Sequence, residues 1–256
     1  LEEAVLHEEA GRVLLHAPLW STSCLLPFLD GADQAAVASG EASWTLALAP
    51  LVPDLDTATN VAVVGGDTIW ELGGFEREVL ATNDVSRPLG VVSGGEPGRA
   101  LCSSEVLPAL RSRSLTILAL EAVGVGQRAL ELAVEYARTR EQFGRIVGTY
   151  QAVSHPLANS YLELELARSL AWWAAWCVAN DEPDAAVAAA AAKSEAAEAA
   201  VAACERAVQA HGGIGFTWEH VLHRLYKRAL GIQSWEASSA QLRAEVASHL
   251  LDGGGV

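Results

Sequence analysis

The chain has 256 residues, 51% of them hydrophobic, and a formal net charge of −15 at pH 7. This length can bury a substantial core as one large domain or two smaller ones. The acidic balance argues against nonspecific binding to nucleic acid or anionic lipid, which needs basic patches, but leaves room for an anion held by a few local arginines. Cys24, Cys102, Cys177 and Cys204 show no C-x-x-C pair and no metal-ligand spacing, so buried free thiols and no metal site are expected. No uncharged apolar run of about 18 residues predicts a membrane span, and no signal peptide is visible. With no Met and with Leu at position 1, the native N-terminus is expected upstream.

Residues 1–38 read as helical, broken by Pro18 and Pro27. Residues 44–99 are rich in Val, Thr, Gly and Pro. Short strands are expected at 60–64, 68–72 and 89–92, separated by Gly65-Gly66, Gly73-Gly74 and Asn83-Asp84, with one more at 101–106. From Arg113 onward the pattern is helical. In 115–140 the positions Glu121, Gly124, Arg128, Glu131, Glu135 and Arg138 mark a polar face, and Leu118, Ala122, Val125, Ala129, Leu132 and Tyr136 an apolar one. A second long helix is expected at 150–178, then a turn and N-cap at 180–184. A third spans 185–210 and stops at Gly212-Gly213. Shorter helices are expected at 219–229 and 238–251, before a loose Gly253-Gly254-Gly255 tail. The whole is mainly α with a small β domain: a partial N-terminal helical domain (1–42), a reduced β domain (43–107) and a C-terminal antiparallel helix bundle (108–256).

Two phrases end long helices, Arg138-Thr139-Arg140-Glu141-Gln142-Phe143-Gly144 and Gln209-Ala210-His211-Gly212-Gly213-Ile214-Gly215. Arginine, glycine and free backbone N–H groups at a helix end suit a phosphate. An aromatic such as Phe143 can cover a ring or ribose. Each phrase alone also fits ordinary helix termination: a C-terminal Arg favoured by the dipole, or a glycine C-cap. His220 and His223 stand three apart without an evident third ligand. His155 precedes Pro156, and Trp172, Trp173 and Trp176 suit a core or a subunit interface. Glu236 follows Trp235; it reads either as a desolvated base with a raised pKa or as a helix-N-terminal glutamate.

Taken together, R-T-R-E-Q-F-G, Tyr150-Gln151-Ala152, Q-A-H-G-G-I-G-F-T and the closing Trp235-Glu236-Ala237-Ser238-Ser239 resemble the acyl-CoA dehydrogenase family in order and spacing. The resemblance covers about 113–251. Asp84-Val85-Ser86-Arg87-Pro88-Leu89 is similar to a late β-domain segment of actinobacterial-type members, and 1–40 to the later part of the N-terminal helical domain.

That resemblance implies FAD, an acyl-CoA substrate, and electron-transfer flavoprotein as acceptor, in the cytoplasm. It implies Glu236 as the base, at the position of the family's Y-E-G-T-S glutamate. Where other members carry the base on the first long bundle helix, this chain has Ser114. Arg140, Gln142 and Phe143, with Gln151 nearby, are implied to contact FAD; Gln209, Gly212 and Gly213 are implied to approach its pyrophosphate–adenine side, in the family that of a neighbouring subunit. The family's T-E-P-G-A-G-S-D loop is replaced by Ala49-Pro50-Leu51-Val52-Pro53-Asp54-Leu55-Asp56, and its W-I-T-N-type strand and early N-terminal helices are missing. The leading expectation is a short subunit in a heterotetramer with a longer paralogue, acting in steroid catabolism on a bulky steroid-derived CoA thioester. There Glu236 is idle or serves a weak site. The alternatives are a homo-oligomeric dehydrogenase using Glu236, and a noncatalytic structural or binding relative.

Overall fold

The computed structural model describes residues 1–251; the glycine tail lies outside the described residues. The chain divides into two compact units, Leu1–Leu15 with Leu115 onward, and His16–Ser114. Elements are numbered in chain order.

The first unit is a helix bundle: α1 (Glu2–Val13), α4 (Leu107–Thr139) from Leu115 on, α5 (Gln151–Ala179), α6 (Ala185–His211), α7 (Leu222–Ser234) and α8 (Ser239–Leu251). The expected polar face of α4 is corrected at Glu121 and Gly124, because every residue from 114 to 126 is buried, while Glu135 and Arg138 further along are exposed as expected. Glycine makes this possible. A Cβ on Gly124 would lie 1.9 Å from the Glu8 carbonyl oxygen, and one on Gly11 would lie 2.1 Å from that of Glu121, so α1 meets α4 backbone to backbone. Glu121 pairs with Arg228 of α7, both buried. Charge inside a bundle survives when it is paired in this way or fully hydrogen-bonded. The expected 1–42 helical domain is therefore divided, with α1 packed in the bundle. Alanine lets α6 approach α4 closely: a Cβ on Gly126 would be 3.0 Å from the Ala200 Cα. Leu115, Ala189, Ala190, Ala237 and Leu242 close one end of this core.

The second unit holds α2 (Leu19–Leu25), α3 (Gly31–Ser39) and five strands: β1 (Trp44–Ala47), β2 (Val52–Pro53), β3 (Asn60–Gly65), β4 (Thr68–Val79) and β5 (Leu89–Ser103). Pro18 stands at the N-cap of α2 and Pro27 in the 3-10 turn after it. The sheet order is β1-β3-β4-β5-β2, with β1 and β3 parallel and the other pairs antiparallel. Gly73 and Gly74, expected as a break, lie inside β4, which runs on as a long ribbon with β5. The strand expected at 101–106 is the end of β5 followed by a 3-10 turn, Ser104–Val106. Strand β1, in a segment without a strand prediction, is buried through Trp44 and Thr45. Tertiary burial decides a four-residue strand that local pattern cannot.

The segment in place of the family loop is tied to its own unit. Asp54 is 2% exposed at φ 54°, and accepts a hydrogen bond from Ser21 Oγ at 3.1 Å. The Arg77 guanidinium donates to the carbonyls of Leu55, Ala58 and Thr59.

Candidate active site

Among the described residues, the sequence-predicted groups of the bundle unit gather at two ends. At the first end, α4 closes at Thr139 and the chain turns through a miniature hairpin, β6 (Glu141–Gln142) and β7 (Arg145–Ile146). Phe143 and Gly144 both have positive φ, 52° and 78°, the backbone of a type I′ turn. Phenylalanine is a costly choice there, since a side chain in the left-handed region costs about 1–2 kcal/mol. Its ring is 92% exposed, so no burial in this chain offsets the strain. Arg138, Arg140, Gln142 and Arg145 are also exposed. The loop itself is firmly held. Val147 N–H donates to the Arg140 carbonyl at 2.8 Å, Tyr150 Oη donates to the Gln142 carbonyl at 3.3 Å, and the Arg145 guanidinium lies 4.3 Å from the Tyr150 ring centre. Gln151 begins α5, which has neither a side-chain cap nor an acidic residue in its first turn; such an N-terminus favours an anion.

Helix α6 ends beside this loop. The Tyr136 ring stacks on His211 at 4.5 Å, so the ends of α4 and α6 meet through that contact. Gln209, Gly212 and Gly213 are exposed, Gly212 has φ 67°, and nothing lies within 4 Å of a Cβ built on Gly212 or Gly213. The backbone there is open to a ligand. One expectation needs correcting: both helices present C-termini, whose free groups are carbonyls. Gly212 N–H already donates to the Gln209 and Val208 carbonyls. Affinity for a diphosphate at this end must come from the arginines and the start of α5, against the helix dipoles.

His211 is also tied into a histidine cluster. Its Nδ1 donates to the Ala207 carbonyl at 2.8 Å, and its ring centre lies 4.5 Å from that of His220. Burial, with His211 and His223 close by, holds the His220 imidazole below its usual 6.5. His223 meets Trp218 edge-on, and Lys227 caps that indole at 4.0 Å. The described residues hold no group of three or more metal-binding side chains.

Glu236 stands at the other end. It is exposed and has φ 60°, in a turn between α7 and α8. It is thus neither helix-N-terminal nor buried against its indole within the single chain. The turn is built from behind by Lys193, which is fully buried. Its Nζ donates to the carbonyls of Gln233 at 3.0 Å, Trp235 at 3.1 Å and Ala237 at 2.5 Å. Sequence reasoning missed Lys193. The available signal was a lone cation inside the alanine run of 185–204, since an unshielded lysine on a buried face needs partners. Lys193 and His211 are 18 residues apart on α6, about 27 Å at 1.5 Å per residue. Ser114 is buried and accepts a hydrogen bond from Trp20 Nε1 at 3.1 Å. Of the three tryptophans on α5, Trp172 donates to Glu8 at 3.3 Å while Trp173 and Trp176 are nearly half exposed. Three cysteines are buried and Cys102 is partly so, all four free.

Residues 114–251 match the family described as "Acyl-CoA dehydrogenase, C-terminal domain". The chain is 35% identical over 237 residues to acyl-CoA dehydrogenase IpdE2 of Mycobacterium tuberculosis (strain ATCC 25618 / H37Rv), covering 90% of this chain and 71% of that one. It is 35% identical over 157 residues to the probable acyl-CoA dehydrogenase YngJ of Bacillus subtilis (strain 168), covering 61% of this chain and 40% of YngJ. Among solved structures, the Tcur3481-Tcur3483 steroid ACAD G363A variant superposes with a TM-score of 0.87 at 27% identity, covering 98% of this chain and 81% of that chain. The protein belongs to the acyl-CoA dehydrogenase family. No helix among the described residues is long and apolar enough to cross a membrane.

Proposed function

We propose that this chain is one subunit of an FAD-dependent acyl-CoA dehydrogenase, assembled with a longer chain of the same family and acting on a bulky, steroid-derived CoA thioester. The observation that carries this reading is the separation of the two ends. Glu236 and the Arg140–Gly213 cluster sit on one bundle, with about 27 Å of α6 between the clamp behind Glu236 and His211. Groups so placed serve two different sites, each completed by a neighbouring chain.

The residues at the first end fit a flavin nucleotide. Open backbone at Gly212 and Gly213 admits close approach, exposed arginines supply bidentate donors, and Phe143 offers an uncovered aromatic face. FAD, when bound, would supply the two-electron acceptor for the hydride at Cβ of the acyl group. Glu236 takes the proton from Cα; the electrons of that C–H bond become the new Cα–Cβ double bond. An electron-transfer flavoprotein would be the class of acceptor that reoxidises such a flavin. The inward-tied 49–59 segment supports a heteromer, because its Asp54 and its carbonyls are engaged within their own unit. The steroid class is supported by the likeness to a structure described as a steroid ACAD and named for two chains.

The test is expression of this chain alone and with a longer family chain, recording visible spectra and bleaching by a steroid-CoA thioester. A yellow, bleachable complex only on co-expression is expected. One flavin per chain and full turnover by this chain alone would replace the heteromer with a homo-oligomer.

A further inference from the structure

We propose that Lys193 is the positioning residue for Glu236: its buried ammonium gathers three carbonyls and so fixes the turn that presents the carboxylate. This rests on the reading of Glu236 as the proton-abstracting base. Lys193 is 0% exposed on α6, the one cation in the alanine-rich stretch 185–204. An ammonium has three N–H donors, and here they meet the carbonyls of residues 233, 235 and 237, on both sides of Glu236. Three carbonyl dipoles aimed at one point repel one another unless a cation lies between them. With their oxygens drawn inward, the backbone between Trp235 and Ala237 takes the left-handed conformation, φ 60° at Glu236, and the side chain is left exposed on the outer side.

The surroundings make the clamp rigid. Ser194 Oγ donates to the Ser239 carbonyl at 3.2 Å, next along α6 from the lysine. Ser238 caps α8 reciprocally with Gln241, accepting the Gln241 N–H at 3.3 Å while Gln241 Oε1 accepts the Ser238 N–H at 2.9 Å. Arg243 of α8 pairs with Glu198 of α6 at 2.5 Å. A non-glycine residue in the left-handed region costs on the order of 1–2 kcal/mol and persists only where its surroundings over-determine it. A buried cation spent on carbonyls also carries a desolvation cost. Both costs fall on the turn that carries the candidate base, and they favour a working Glu236 over an idle one.

The experiment uses the flavin-loaded assembly with Lys193→Met, Lys193→Gln and Glu236→Gln, measuring kcat, KM, the flavin spectrum and amide hydrogen exchange. For Lys193→Met, kcat falls about 10²-fold, the loss expected for a misplacement of about 1 Å. KM and the flavin spectrum stay near wild type, and peptides covering 233–239 exchange faster while α5 stays protected. Lys193→Gln, keeping N–H donors, recovers part of kcat. Wild-type kcat with unchanged exchange in Lys193→Met overturns the clamp. Full turnover in Glu236→Gln instead removes the base reading, whatever Lys193 does. If Lys193→Met does not assemble, exchange in the unaltered assembly decides: 233–239 as slow as α6 supports the clamp, and exchange as fast as the exposed ribbon at 93–98 overturns it.

Discussion

The two ends of the bundle unit are prepared in opposite ways. At the Arg140 end the backbone is held but the working side chains point outward unpartnered by a core: Phe143 is 92% exposed, Phe216 77% and Trp218 78%. At the Glu236 end the side chain is exposed but the backbone is gripped from inside by Lys193. The first arrangement suits a surface finished by a ligand and a second chain. The second suits a group whose position must already be set when substrate arrives. On the proposed reading the labour is divided along one helix, with nucleotide contacts at the C-terminus of α6 and the carboxylate turn at the level of Lys193.

The comparison breaks most visibly if the two ends are not functionally separate. In the assembly, Glu236→Gln is expected to lower turnover by about 10²–10⁴-fold, the range for a lost general base, with flavin content unchanged when read from the visible spectrum. Arg140→Ala is expected to do the reverse: flavin retention weakens by about tenfold or more, the scale of a lost charge-assisted hydrogen bond, as measured by flavin release on dilution. Unchanged occupancy would remove Arg140 from the nucleotide site.

A subtler effect is expected at Phe143. Replacing it with glycine relieves the strained turn and raises the chain's own stability by about 0.5–1 kcal/mol in thermal or denaturant unfolding, while flavin occupancy falls. A stability loss would show that the exposed ring is supported within the chain. The smallest effect is pH dependence at the 211–223 segment. The folded-state pKa of His220 lies below its usual 6.5 because of burial and its histidine neighbours, so the folded state binds fewer protons than the unfolded one. The resulting stability is present above pH 6.5 and is lost as pH falls toward the folded value. His223 is lowered too, by burial and by Lys227 and Arg224. Hydrogen exchange of 211–223 is expected to quicken below pH 6.5; exchange independent of pH after intrinsic correction would contradict it.

Much was legible in local chemistry. The long helices, the glycine stop of α6 and the turn after α5 follow from periodicity and turn preference, though Asp184 makes no side-chain cap for α6. The Arg140 loop and the Gly212-Gly213 end carry phrases whose combined order points to one family. What failed was mostly the meaning of a face. Glu121 and Gly124 look like a solvated stripe, because a charged residue and a glycine at helical spacing ordinarily are one. They are buried because α1, distant in sequence, needs the glycine to approach and because Arg228, 107 residues away, neutralises the glutamate.

The sequence by itself determined where the long helices of the bundle run and which residue types sit at their ends, since propensity and turn preference act over a few neighbouring residues; the length of the β4–β5 ribbon and the existence of β1 were not written there. Only the tertiary structure decided that Tyr136 meets His211, that Lys193 reaches three carbonyls some forty residues on, and that Glu236 and the Arg140 loop occupy opposite ends of one bundle. Those facts depend on helix packing and on the need to satisfy buried charge, and neither is written in any local stretch of chain.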